Sequence, residues 1–97
     1  MIKVKKKDNI ITISGHANYD NYGNDIVCSS VSSIVYTTIN GILNINSSSL
    51  HVTDEDTLTI EVLSSDLVTN KLIENMMLLL SEVESKYPKN ISISKGE

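Results

Sequence analysis

The chain has 97 residues and a formal net charge of −4, and all eight of its basic residues are lysines. We expect a single domain over residues 1–97, because this length suits one hydrophobic core. The acidic balance and the lack of arginine argue against direct binding to nucleic-acid phosphates. A lone cysteine cannot form an internal disulfide. The start of the chain has no apolar signal region, and the longest apolar run, residues 76–80, is too short to span a bilayer. These features predict a cytoplasmic protein that binds no membrane.

The hydrophobic pattern of the first half predicts two strands followed by a helix. Alternating apolar and polar residues indicate strands over residues 2–6 and 10–16, paired as an antiparallel hairpin. Apolar residues then recur every three or four positions, which is typical of a helix with one buried stripe. Asn24 or Asp25 is expected to cap this helix. The predicted stripe contains Val27, Val31, Ile34, Val35, Thr38 and Ile42.

The second half predicts two strands, a helix and a last strand. Residues 50–53 and 57–63 are expected as strands around an acidic turn, with Ser64 or Ser65 capping the helix after them and Pro88 ending it. Its predicted buried stripe contains Val68, Leu72, Met76, Leu79, Leu80, Val83 and Tyr87. Three apolar residues lie off this stripe, Ile73, Met77 and Leu78, and such a surplus predicts a homodimer. The order β-β-α-β-β-α-β indicates an α+β domain of two layers, with a mixed sheet and both helices packed on one face.

Residues 15–32 carry the side chains most suited to catalysis. His16 is expected at the end of the second strand, and Cys28 in the first turn of the first helix, where the helix dipole and free N–H groups stabilise a thiolate. A neighbouring imidazole can act as base and acid, and free amides at that helix end can hold an oxyanion. Spacing alone leaves open a packed, unreactive cysteine and a structural histidine.

Two other chemistries fit the same residues less well. His16, Cys28 and Asp25 are residue types that bind zinc, but three ligands from one short segment lack a second pair of Cys or His residues. Redox and phosphatase chemistry fit poorly, because the chain has no Cys-x-x-Cys motif and no arginine. We therefore expect neither a metal nor a cofactor.

The segment also resembles a known motif. Gly15-His16-Ala17, then Gly23, then Asp25-Ile26-Val27-Cys28, Val31 and Ser32 match in order and spacing the motif of the ribosomal-processing cysteine protease (Prp) family. Ser29 and Ser30 depart from it, since that family usually has alanines there. The resemblance implies that Cys28 is the nucleophile, that His16 is its base and acid, and that Asp25 and Ser32 support them.

The resemblance also implies a substrate. This is the precursor of a large-subunit ribosomal protein, the twenty-seventh in the usual naming, whose N-terminal extension is removed for ribosome assembly. The polar segment between base and nucleophile can serve as a lid that orders over the substrate, although the sequence alone favours an ordinary solvated loop. Its residues are Gly15, Ala17, Tyr19, Tyr22 and Gly23. The alternative is a non-catalytic interaction module that binds through an exposed apolar helix face.

The roles of Asp25 and Ser32 stay open at the level of sequence. Asp25 lies three residues before Cys28, so its charge opposes a thiolate, and we favour capping and loop anchoring over a place in a catalytic triad. Ser32 lies one turn after Cys28, where its hydroxyl can also bond to the helix backbone.

Overall fold

The structure, a computed structural model, describes residues 1–21 and 25–96. The elements in chain order are β1 (Ile2–Lys7), β2 (Ile10–Ser14), α1 (Ile26–Ile45), β3 (Leu50–Asp54), β4 (Leu58–Val62), α2 (Leu67–Lys86) and β5 (Ile91–Lys95). This order is the predicted one. Element ends differ by a residue or two, and only the end of β2 matters for the site.

The five strands form one sheet in the order β3-β4-β2-β1-β5. β1 pairs with β2 in antiparallel fashion and with β5 in parallel, and β4 pairs in antiparallel fashion with β2 and β3. The sheet is therefore mixed, as predicted. Each helix crosses over between two parallel strands, and the helices contact each other, so both lie on the same face of the sheet. The α+β, two-layer fold class is confirmed.

α1 follows its predicted stripe closely. Its buried residues are Val27, Val31, Val35, Ile39 and Ile42. Ile34 and Thr38 of the predicted stripe are only half-buried, and the Thr38 hydroxyl donates a 2.8 Å hydrogen bond to the Ile34 carbonyl. Ile39, which was not predicted, is buried. By length and composition alone α1 is apolar enough to cross a membrane. In the folded chain its buried face lies in the core against the sheet.

α2 starts and faces differently from the prediction. Its cap is Asp66, neither Ser64 nor Ser65, because the Asp66 carboxylate accepts the Thr69 N–H at 2.8 Å. Ser64 does not cap the helix directly. Its hydroxyl donates a hydrogen bond to the carboxylate of the capping residue, Asp66. That bond and the N–H of Thr69 hold the pKa of Asp66 below its ordinary value.

The buried face of α2 is rotated from the predicted stripe. It contains Thr69, Ile73, Met76, Met77 and Leu80. Ile73 and Met77 are thus core residues, whereas Val68 and Leu79 are exposed. Of the three residues whose surplus predicted a homodimer, Leu78 is exposed and the other two are buried, so the prediction was wrong for Ile73 and Met77. The Thr69 and Ser49 hydroxyls share a buried hydrogen bond of 3.2 Å, which joins this face to the turn before β3.

Candidate active site

The start of α1 places Cys28 in the first helical turn, as predicted. Asp25 is the N-cap, and one of its carboxylate oxygens accepts the N–H groups of Val27 and Cys28, each at 3.0 Å. The N–H of Ser29 donates to the Asp25 carbonyl at 3.1 Å. These three amides are therefore occupied, and the expectation that free amides here hold an oxyanion is wrong for them.

The second oxygen of Asp25 reaches back across the loop and accepts the Tyr19 N–H at 3.0 Å. The hydrogen bond from the Cys28 N–H is the main cause that lowers the pKa of Asp25, with Tyr19 and Val27 adding to it and burial opposing it. Both oxygens accept hydrogen bonds from the backbone, and among the described residues neither is bonded to His16. The structure thus shows the capping and anchoring role that the sequence favoured.

His16 lies beyond the end of β2, which corrects the prediction that it closes the strand. β2 ends at Ser14, because Gly15 has a φ of 85° that extended L-residues do not adopt. A Cβ on Gly15 would also overlap the carbonyl oxygen of Met1. The chain therefore turns at Gly15, and His16 is exposed on the His16 loop, which we define as residues 15–21.

The His16 loop returns to the nucleophile at Ala17. The Ala17 N–H donates to the Cys28 Sγ at 3.3 Å, and Ala17 itself is buried. His16 and Cys28 line one cavity of about 790 Å³, which we call the site cavity. Within the described residues their side chains share no hydrogen bond. Such bonds often tighten only when substrate binds.

Part of the lining of the site cavity is acidic. The acidic turn, residues 54–56, which joins β3 to β4, lines the cavity together with Tyr36 on α1. Asp20 adds another carboxylate, and no lysine is among the described residues that line the cavity. The Tyr36 hydroxyl donates a 2.6 Å hydrogen bond to the Asp54 carboxylate. The cavity thus brings a thiol and an imidazole together with several carboxylates.

The other predicted site residues differ in whether they line the site cavity. Ser32 is exposed and lines the site cavity, and no hydrogen bond from it to the helix backbone is present in the described chain. The Tyr19 ring packs edge-on against Tyr87, with centroids 5.3 Å apart. Tyr22 and Gly23 lie outside the described residues. Across residues 1–21 and 25–96, no three His, Cys, Asp or Glu side chains cluster as around a metal ion.

A model of the cysteine protease Prp family matches residues 1–92 of the chain. The chain belongs to the cysteine protease Prp family. Prp enzymes are cysteine proteases, so the chain is a peptide-bond hydrolase of that class. This membership agrees with a cavity that Cys28 and His16 both line.

Relatives of the Prp family extend the likeness over most of the chain. The ribosomal processing cysteine protease Prp of Staphylococcus aureus strain Mu50 is 25% identical over 88 residues, which is 87% of this chain and 83% of the relative. A crystal structure of an essential ribosomal processing protease Prp from S. aureus, with a covalently linked product peptide, has a TM-score of 0.87 at 22% identity. The match covers 97% of this chain and 96% of the chain in that crystal structure. Another, with a substrate peptide, has a TM-score of 0.80 at 20% identity over the same shares. These structures show the shared Prp fold.

Several residues that line or support this Prp site were not predicted from the sequence. Tyr36 had a signal, because Cys28, Ser32 and Tyr36 recur every four residues and so share one face of α1. The acidic turn was predicted only as a turn, because the sequence does not show that it lines the same cavity as Cys28. Asn90 donates to the Ala17 carbonyl at 2.9 Å, and no local pattern pointed to it.

Proposed function

We propose that the chain removes the N-terminal extension of a large-subunit ribosomal protein, the twenty-seventh in the usual naming, with Cys28 as nucleophile and His16 as base and acid. The observation that carries this proposal is the single cavity lined by Cys28 and His16, with the Ala17 N–H directed at the sulfur. The processing relatives and the matching motif support the substrate.

The proposed reaction has two steps. His16 takes the thiol proton while the Cys28 Sγ bonds to the scissile carbonyl carbon, and the C–N bond then breaks as the imidazolium returns the proton to the leaving amine. A water molecule, deprotonated by His16, next attacks the resulting thioester. The carbonyl–sulfur bond breaks, the new carboxyl end departs, and the proton returns to Cys28. No metal is required for either step.

The charge of the site cavity supports a ribosomal substrate. A protein that binds ribosomal RNA neutralises phosphates with lysine and arginine, so its precursor is basic. The acidic turn presents Asp54, Glu55 and Asp56 to the same cavity as Cys28. β3 is an edge strand that ends at Asp54, so an extended peptide paired along this edge would be led into the cavity.

Cleavage of a peptide that copies the ribosomal extension tests the proposal. Wild type is expected to cleave it, whereas Cys28→Ala and His16→Ala are expected to lose activity by at least about a hundredfold. An alkylating agent should abolish cleavage and a chelator should not. No cleavage by folded wild type, or persistent cleavage by Cys28→Ala, would refute the assignment and favour a non-catalytic interaction module.

We also propose that the chain is a homodimer through an apolar patch at the end of the molecule away from the site. The patch consists of Ile45, Leu63, Leu67 and Val68, which are 64%, 55%, 71% and 49% exposed. They lie around Ser49, whose carbonyl accepts the Leu63 N–H at 2.8 Å and whose hydroxyl bonds to Thr69. Sedimentation should show a dimer that Leu67→Lys converts to a monomer, with Leu78→Lys, outside the patch, as control. A monomeric wild type would contradict this.

A cytoplasmic location is proposed on the ground that the one cysteine, Cys28, is free and works only when reduced. Fractionation of cells that make the protein should recover it with cytoplasmic markers. Recovery with the membrane or secreted fraction would overturn the proposal.

A further inference from the structure

The turn between α2 and β5 holds the His16 loop through Asn90. The Asn90 side-chain amide donates a 2.9 Å hydrogen bond to the Ala17 carbonyl, although the two residues are 73 positions apart. The Asn90 backbone is itself fixed, because its carbonyl accepts the Ile2 N–H at 2.8 Å and its N–H donates to the Tyr87 carbonyl at 2.9 Å. Asn90 therefore presents its amide from a firmly attached backbone.

Ala17 passes this restraint on to the nucleophile. Its carbonyl is held by Asn90, and its N–H donates to the Cys28 Sγ at 3.3 Å. Ala17 is only 1% exposed, so water does not compete for these groups. The helix amides of Val27 and Cys28 are taken by the Asp25 carboxylate. Among the described residues, Ala17 is thus the one hydrogen-bond donor to the sulfur.

We infer that Asn90 is a positioning residue, which holds Ala17 so that its N–H stays directed at the Cys28 sulfur. A hydrogen bond to a negatively charged sulfur is shorter and stronger than one to a neutral thiol, so this donor contributes most once the thiol proton has left. Asp25 anchors the same loop at Tyr19, two residues further on, and does not replace the bond to the Ala17 carbonyl. This inference rests on the proposed function only in naming Cys28 as the nucleophile.

Alkylation by iodoacetamide tests the inference, because Cys28 is the only cysteine in the chain. Two variants remove the donor: Asn90→Ala, and Asn90→Asp, which keeps the shape but offers only acceptors. At pH 7 both variants are expected to react about fivefold more slowly than wild type. This factor corresponds to the loss of one hydrogen bond, that from the Ala17 N–H to the sulfur, when Ala17 is no longer held. At about pH 10, above the ordinary pKa of a cysteine thiol, the rates should agree within about twofold. Lys89→Ala, in the same turn, should behave as wild type.

Kinetics with the ribosomal peptide separate positioning from substrate binding. We expect kcat to fall by about fivefold in both Asn90 variants while KM changes by less than about twofold. Unfolding midpoints measured in parallel test whether each variant is folded. If Asn90→Ala is not folded, the comparison is made with Asn90→Asp alone.

The two proposals fail in different ways. Alkylation of the Asn90 variants as fast as wild type at pH 7, or faster, would overturn the positioning role, because a merely loosened loop exposes the thiol. Slower alkylation without peptide cleavage by wild type would uphold the positioning role and refute the ribosomal substrate.

Discussion

Tyr36 and Asp54 join α1 to the end of β3 through a 2.6 Å hydrogen bond from phenol to carboxylate. This bond is the main cause that raises the pKa of Tyr36 above its ordinary value, with partial burial and the carboxylate charge adding to it. The pair closes one side of the site cavity and fixes the orientation of the first carboxylate of the acidic turn. Its contribution is therefore expected both in stability and in substrate binding.

Tyr36→Phe is expected to lower the free energy of unfolding by about 0.5 kcal/mol, since the bond lies at an exposed surface. The folded pKa of Tyr36 is raised, so this contribution is complete below about pH 10, the ordinary pKa of tyrosine, and is lost as pH rises through the raised value. Urea unfolding at several pH values measures it. Tyr87→Phe is the matched control, because no described residue bonds to its hydroxyl. A constant difference up to pH 12 would contradict the assignment.

Asp25→Asn separates the two roles of this carboxylate. An asparagine oxygen still caps α1, but its amide nitrogen cannot accept the Tyr19 N–H, so the helix stays while the His16 loop loosens. We expect a lower kcat and a modestly lower Tm with unchanged helical circular dichroism. Loss of the helix signal, or full activity, would show that the loop anchor was misread.

The pH dependence of Asp25 provides a second test. Its folded pKa is lowered, so its stabilisation is present above the ordinary carboxyl value near 4 and is lost as pH falls through the folded pKa. Thermal unfolding of wild type should therefore show a decline in Tm below about pH 4 that is smaller in Asp25→Asn. Asp8→Asn, on the exposed β1–β2 turn, is the control. Equal slopes in all three proteins would contradict the expectation.

The acidic turn is expected to bind the basic part of a substrate. The double variant Glu55→Gln, Asp56→Asn should raise KM for a lysine-containing peptide by about threefold with little change in kcat. Added salt should raise the wild-type KM in the same direction, because exposed charges are screened. Glu74→Gln, an exposed charge on α2 paired with Lys71, is the control. A KM insensitive to both changes would exclude electrostatic selection.

Gly15 and Gly41 form a matched pair of glycine substitutions. Gly15→Ala places a methyl group against the Met1 carbonyl at a positive φ, and we expect it to cost at least about 1–2 kcal/mol. Gly41→Ala adds a methyl group inside α1 where nothing lies within 4 Å, and should stabilise by about 0.5–1 kcal/mol. Chemical denaturation measures both. A neutral Gly15→Ala would mean that the turn before His16 is adaptable.

Local patterns predicted the parts of the fold that depend on local rules. The α1 stripe and the Asp25 cap follow from helical periodicity and from one side-chain oxygen reaching nearby N–H groups. The phase of α2 did not follow, because apolar residues occupy more than one side of that helix, and the buried bond between Thr69 and Ser49 contributes to the choice. That bond joins α2 to the turn before β3, and the spacing of apolar residues in α2 does not predict it.

The sequence predicted which residues form the site better than it predicted how they are arranged. His16 and Cys28 were identified from chemistry and resemblance, and both line one cavity. The alternating pattern wrongly extended β2 to His16, because alternation does not show that Gly15 turns the chain. Asn90 was out of reach, since a hydrogen bond across 73 positions depends on the register that brings β5 beside β1.

The carboxylate of Asp25 has a consequence for motion. It holds the amide hydrogens of Tyr19, Val27 and Cys28 with one side chain, so the loop and the helix start are closed by the same group. Release of the whole carboxylate frees all three amides together, whereas loss of the Tyr19 bond alone opens the His16 loop and leaves the start of α1 capped. The imidazole can therefore move away from the thiol without any loss of helix, and hydrogen exchange at Tyr19 is expected to be at least as fast as at Val27 and Cys28.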